Sequence, residues 1–69
     1  MTIKVVIPTP EGNIIKFIDK DQIKVKDLLA LLGLSSEEYV VARNGVVITD
    51  EDIVVDGDEV LMYPVVSGG

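Results

Sequence analysis

Along residues 2–8, TIKVVIP, the apolar residues Ile3, Val5 and Ile7 alternate with Lys4, which is the period of a strand with one buried face. That phase turns Ile3, Val5 and Ile7 inward and Lys4 and Val6 outward. TPEGN at 9–13 has turn composition, and IIKFI at 14–18 alternates again around Lys16, so Ile15 and Phe17 are expected inward on the second arm of a hairpin. The period then changes. In VKDLLALLGL, Val25, Leu28, Leu29 and Leu32 fall at i, i+3, i+4 and i+7, one face of a helix over about residues 25–32, with Lys26 and Asp27 toward water. Gly33 suits the left-handed residue that ends a helix, with Leu34 folding back on it. Lys24 and Gln22 are both weak N-caps, so the first turn is left open.

Ser35 and Glu38 have the spacing of a capping box, which suggests a short helical turn before Tyr39. VVAR at 40–43, Asn44-Gly45 and VVI at 46–48 read as a two-residue hairpin, because Asn-Gly accepts the positive φ angles of a type I′ turn. A polar loop TDED follows at 49–52, then a tight turn DGD at 56–58 and a last strand EVLMY at 59–63. Pro64 lacks an N–H and is expected to end ladder pairing. Strand, strand, helix, strand, strand, strand is an α+β order in which one helix covers one face of a mixed sheet. The expected core is Ile3, Val5, Ile15, Phe17, Leu28, Leu29, Leu32, Val41, Val60 and Met62. Alternation then puts Leu61 and Tyr63 on the opposite face, beside the chain end, with Asp58 and Glu59 at the rim.

Composition narrows the class. The 69 residues are 48% hydrophobic but only 4% aromatic, which describes one domain with a modest core of Val, Ile and Leu. There is no Cys and no His, so disulfides, thiol chemistry and cysteine-ligated metal centres are excluded, in keeping with a reducing compartment. The longest early apolar run, Val5-Val6-Ile7, is far too short for a signal-peptide core or a membrane span, and a soluble cytoplasmic protein is expected. The net charge of -6 is uneven: residues 1–26 hold all five Lys against Glu11, Asp19 and Asp21, while residues 27–69 hold nine acids against Arg43 alone. That argues against nucleic acid and suggests a partner with a basic docking face. Acidic loops that keep a small protein soluble are the competing reading.

The carboxylates of DEDIVVDGDE, residues 50–59, lack the spacing of a calcium loop and read as turn residues. Ser35, Ser36 and Ser67 have no imidazole base, which leaves no hydrolytic triad, and no phosphate-binding Gly-rich loop is present. What remains is the chain end, PVVSGG. Two terminal glycines contribute nothing to a core, and at neutral pH their carboxylate is an anion able to attack the α-phosphate of ATP held by another enzyme. Six residues from Pro64 reach about 20 Å when extended, and glycines pass where side chains would not. Val65 and Val66 then anchor the tail in the channel, or merely continue the last strand.

VKDLLALLGL, VVARNGVV and DGDEVLMYPVVSGG together resemble the ubiquitin-like, β-grasp sulfur carriers of the MoaD and ThiS type, a group that includes archaeal ubiquitin-like modifiers. The likeness covers the chain from about residue 25 to its end, and the two-stranded start fits it. It implies a β-grasp domain over residues 1–63 and a flexible reactive tail at 64–69. It implies that a ubiquitin-activating-type enzyme, using ATP and magnesium, adenylates Gly69, with Gly68 as the slender residue before it. A sulfur donor then makes the thiocarboxylate, and a sulfur-accepting synthase takes the atom for molybdopterin, thiamine thiazole or tRNA thiouridine. Such a carrier is a protein co-substrate rather than an enzyme, binds no cofactor or metal itself, and is a monomer when free. Two alternatives stay open: a modifier joined through Gly69 to lysines of target proteins, and a β-grasp binding module with an inert tail.

Overall fold

A computed structural model describes residues 1–65. β1 (Ile3–Thr9) and β2 (Gly12–Ile18) form the first hairpin, and β3 (Gln22–Lys24) runs directly into α1 (Val25–Leu31). β4 (Tyr39–Arg43) and β5 (Val46–Ile48) form the second hairpin, followed by β6 (Ile53–Val55) and β7 (Glu59–Pro64). The main sheet has the order β2-β1-β7-β4-β5. Its central pair, β1 and β7, is parallel, and its other pairs are antiparallel, so the expected mixed sheet under one helix is the architecture of the described residues. Two strands were not expected: β3 and β6, which pair with each other as a small separate sheet. Each is three residues long, too short to display a period of two.

The helix buries the stripe that its spacing marks. Val25, Leu28 and Leu29 are buried against Ile3, Val5, Val41, Val60 and Met62, with Val54 of β6 closing the core from below. A side chain of this size, fully buried, contributes about 1.5–3 kcal/mol. The C-terminus closes as Gly33 suggests. Gly33 sits at φ 74, its N–H donates to the Ala30 carbonyl, and the Leu34 N–H reaches the Leu29 carbonyl at 2.8 Å. That pair of bonds is a Schellman closure, and partly buried Leu34 supplies its hydrophobic contact. The other end is capped from a distance. Lys24 makes no side-chain cap, but the N–H groups of Val25 and Lys26 donate to the carbonyls of Asp52 (2.8 Å) and Asp50 (3.0 Å). The polar loop at 49–52 is thus the N-terminal cap of the helix.

Three expectations need correction. Ile15 and Phe17 are not core: they are 51% and 65% exposed. The hairpin turns on Pro10 and Glu11, so Thr9 pairs with Gly12, and that register sets Lys16 opposite Val5 and Ile15 opposite Val6. β2 therefore presents Ile14, Lys16 and Ile18 to the helix side, and Ile15 and Phe17 to the other. Val6 does face away from the helix as its phase demands, yet it is only 7% exposed, because it lies on a strand flanked on both sides. Leu32 is half-buried at the rim of the core rather than within it. Ser35 and Glu38 form no helical capping box; the Ser35 Oγ accepts from the Glu37 N–H (3.2 Å) and the Ser35 carbonyl from the Glu38 N–H (3.1 Å), which closes a turn.

The corrected core separates two substitutions that the alternation alone would group. Leu29→Ala should cost about 2–5 kcal/mol of unfolding free energy. Phe17→Ala should stay within about 0.5 kcal/mol of wild type, since its ring is largely in water. Urea unfolding of the two variants beside wild type checks both.

Candidate functional site

The last strand carries the chain end, and its start is fixed by a dense set of bonds. In the turn before it, Asp56 Oδ1 accepts from the Thr2 N–H (2.6 Å), the Gly57 N–H donates to the Thr2 carbonyl (3.1 Å), and the Lys4 N–H donates to the Asp58 carbonyl (3.2 Å). From the other side comes Asn44. It takes φ 50, as a type I′ turn requires, and its backbone N–H donates to the Glu59 carbonyl at 2.9 Å. Its side chain accepts from the Glu59 N–H (3.0 Å) and donates to Asp58 Oδ1 (3.1 Å). Asn44 is therefore both the hairpin residue and the clamp on β7, a double role that its Asn-Gly signature does not reveal.

β7 alternates as expected, with Val60 and Met62 buried under the helix and Leu61 and Tyr63 on the opposite, open face. The register extends that face well beyond these two. Ile15, Val6, Leu61, Ala42 and Val47 form one apolar row across all five strands, with Tyr63 beside Val40 on one flank. Val6 and Ala42 are buried in the row, while Ile15, Phe17, Val40, Val47 and Tyr63 are exposed. Sequence reasoning turned Val6, Leu61 and Tyr63 to this face but missed the remainder. Loop length was the signal that could have found them: a two-residue turn at Pro10-Glu11 forces the register that turns Ile15 and Phe17 outward.

The acids at the rim have other work. Both carboxylate oxygens of Asp58 are engaged inside the protein, one by Asn44 and the other by the Val55 N–H (2.8 Å). Glu59 lies opposite Lys4 on the open face and pairs with its ammonium at 3.4 Å, both groups being well exposed, so the pair adds little stability. Neither acid is free in the way the sequence suggested.

The ladder also passes Pro64. Pro64 pairs with Tyr39, and the Val65 N–H donates to the Glu38 carbonyl at 2.7 Å, the next rung. Proline is tolerated because that position's N–H would point away from β4, toward β1, whose pairing with β7 runs from Lys4 to Val6. Val65 is half-exposed at the exit. The assignments to Val66, Gly68 and Gly69 lie outside the described residues.

Two other features of the described residues bear on chemistry. A cavity of about 300 Å³ opens between α1 and the second hairpin, lined by Leu29, Tyr39, Val41, Ile48 and Thr49 among others. That is the lower limit for small-molecule pockets, and Val40 and Val47 also line it. Among the described residues, no group of three or more acids is placed to hold a metal ion, and no helix is long and apolar enough to cross a membrane.

Comparison with known proteins adds two findings. The model of the ThiS family matches residues 7–69. The chain also superposes on a chain from a solved protein–protein complex of subunits 1 and 2 of molybdopterin-converting factor from Helicobacter pylori 26695. The TM-score is 0.69 at 25% identity, with 100% of each chain covered. Both agree with the β-grasp architecture and the MoaD and ThiS likeness described above.

The clamp at the start of β7 is testable without any partner. Asn44→Ala deletes two side-chain hydrogen bonds and sets a Cβ-bearing residue without a local partner at positive φ. It should cost about 1–3 kcal/mol in thermal or urea unfolding. Lys4→Gln, which breaks only an exposed ion pair, should change stability by less than about 0.5 kcal/mol.

Proposed function

This chain belongs to the ThiS family, and on that premise we propose that it is a sulfur carrier whose Gly69 is converted to a thiocarboxylate. The observation that carries the reading is the extent of the family match, which runs through the Gly68-Gly69 end rather than stopping at the folded strands. A carboxylate oxygen of Gly69 attacks the α-phosphorus of ATP held by a ubiquitin-activating-type enzyme. The new C–O–P link forms and pyrophosphate leaves. A sulfur donor at the oxidation level of sulfide then attacks the acyl carbon, a C–S bond forms, and AMP departs as the leaving group. ATP and magnesium belong to the activating enzyme; the carrier contributes reach, slenderness at Gly68 and Gly69, and a docking surface.

That surface is the open sheet face. Leu61 and Tyr63 sit beside the exit, and Ile15, Phe17 and Val47 widen the patch, an arrangement suited to a partner that must hold the domain while the tail threads away from it. Glu59 adds charge at the rim, Val65 and Val66 are the residues to anchor the tail in the partner's channel, and Asp58 supports the patch from within its turn. The Helicobacter pylori chain of like fold comes from a two-subunit complex, which supports a sulfur-accepting synthase as the second partner. The end product is molybdopterin, thiamine thiazole or thiolated tRNA, according to that partner.

Deleting Gly69 leaves the carboxylate one residue, about 3.3–3.6 Å, short of the phosphate, and a misplacement of even 1 Å can cost roughly a hundredfold in rate. ATP–pyrophosphate exchange with the activating enzyme should therefore collapse while the melting curve stays at wild type; undiminished exchange sinks the reading. Leu61→Asp and Phe17→Asp should each weaken binding of that enzyme about tenfold or more, with the fold intact. Intact mass of protein isolated from its own cells should show one oxygen replaced by sulfur. Conjugates to other proteins that vanish with Gly69, and no thiocarboxylate, would favour a protein modifier instead.

A further inference from the structure

We infer that the turn at residues 35–38 is a positioning element for the tail, acting through the bond from the Val65 N–H to the Glu38 carbonyl. The inference rests on the carrier reading of Gly69 and extends it to residues remote from the reacting atoms. The bond is short, 2.7 Å, and it is half of a rung. In a continuing antiparallel ladder Glu38 would return its own N–H to the Val65 carbonyl. Here that N–H is already given to the Ser35 carbonyl at 3.1 Å, while the Glu37 N–H is held by the Ser35 Oγ at 3.2 Å. The turn thus does two things at once. It holds the Glu38 carbonyl still, facing the Val65 N–H, and it withholds the donor that would complete that rung.

The consequence is a defined starting point. With Val65 held, four residues, 66–69, follow the anchor and span about 13–14 Å when extended, against about 20 Å for six residues counted from Pro64. Fewer free residues means less chain entropy lost when the tail enters a partner's channel, and the domain leaves the docked face at a set angle. This is preorganisation, felt equally before and during the chemical step, so its loss should raise KM and leave kcat in place.

The experiment compares Val65→Pro, which deletes the N–H, with Val65→Ala, which shortens the side chain but keeps it. A second pair, Ser35→Ala and Ser35→Thr, removes or keeps the side-chain oxygen that braces the turn. Amide exchange of Val65 is followed by NMR in the free protein, and KM and kcat are read from ATP–pyrophosphate exchange against carrier concentration, each beside a melting curve. In wild type the Val65 N–H should exchange at least about tenfold more slowly than in Ser35→Ala, with Ser35→Thr restoring protection. Val65→Pro should show kcat/KM about two- to tenfold below Val65→Ala, the range of one backbone hydrogen bond, all of it in KM. An unprotected Val65 amide in wild type, or equal KM in the two Val65 variants with normal melting, overturns the inference. If wild-type protein supports no exchange at all, the carrier reading falls and takes the positioning role with it. Val65 protection then reports separately whether the bond exists.

Discussion

The parallel pairing of β1 with β7 is the constraint on which the remaining structure depends. It joins the first strand to the last through the register Lys4–Glu59, Val5–Val60 and Val6–Leu61, so each hairpin must attach on an outer side of this pair. Three register positions are few for a contact of such sequence separation, whose closure cost has to be met before any local gain. The shortfall is made up at one end. Thr2, Lys4 and Asn44 all bond to residues 56–59, binding the start of β7 to both of its neighbours. Three of the acids that look from composition like a docking surface, Asp52, Asp56 and Asp58, are spent on turn geometry, and Asp58 gives both carboxylate oxygens to the fold.

A sheet in this position has two apolar faces but one helix. The covered face is a conventional core. The other buries Val6 and Ala42 merely by crowding from neighbouring strands and leaves Ile15, Phe17, Val40, Val47 and Tyr63 in contact with water. In a chain of 69 residues that exposure is a liability for self-association. The net charge of -6 opposes it, while Lys16 on the helix side of the edge strand β2 guards the sheet edge, where an added strand would have to desolvate it.

Where local spacing and tertiary demand coincide, the sequence was readable. The helix stripe, Gly33 with Leu34, and Asn44-Gly45 each carry their own geometry, and so does the alternation of β7 that turns Leu61 and Tyr63 outward. Where an element is defined by its neighbours, local reasoning failed. IIKFI offers two apolar phases around one lysine, and an edge strand exposes both faces, so hydrophobicity could not choose between them; the hairpin register did. β3 and β6 are strands because they meet each other, and α1 begins where it does because the carbonyls of Asp50 and Asp52 come to it. The ladder past Pro64 was missed for a related reason. A proline removes a donor in one direction only, and the direction is set by which neighbour lies on which side.

A folded domain that presents a reactive end works under two opposed demands. The rigid part must stop abruptly, since every residue paired to the sheet is subtracted from the reach, yet it must not fray, since every residue released adds entropy to be lost on docking. Pro64 and the Ser35–Glu38 turn meet these demands from opposite sides of the same rung. Pro64 fixes φ without forfeiting a bond to β4, and the turn accepts one bond from Val65 while the Glu38 N–H is given to Ser35. The position of the Val65 rung is consequently written into where β4 begins, a property of the scaffold rather than of the glycines that follow it.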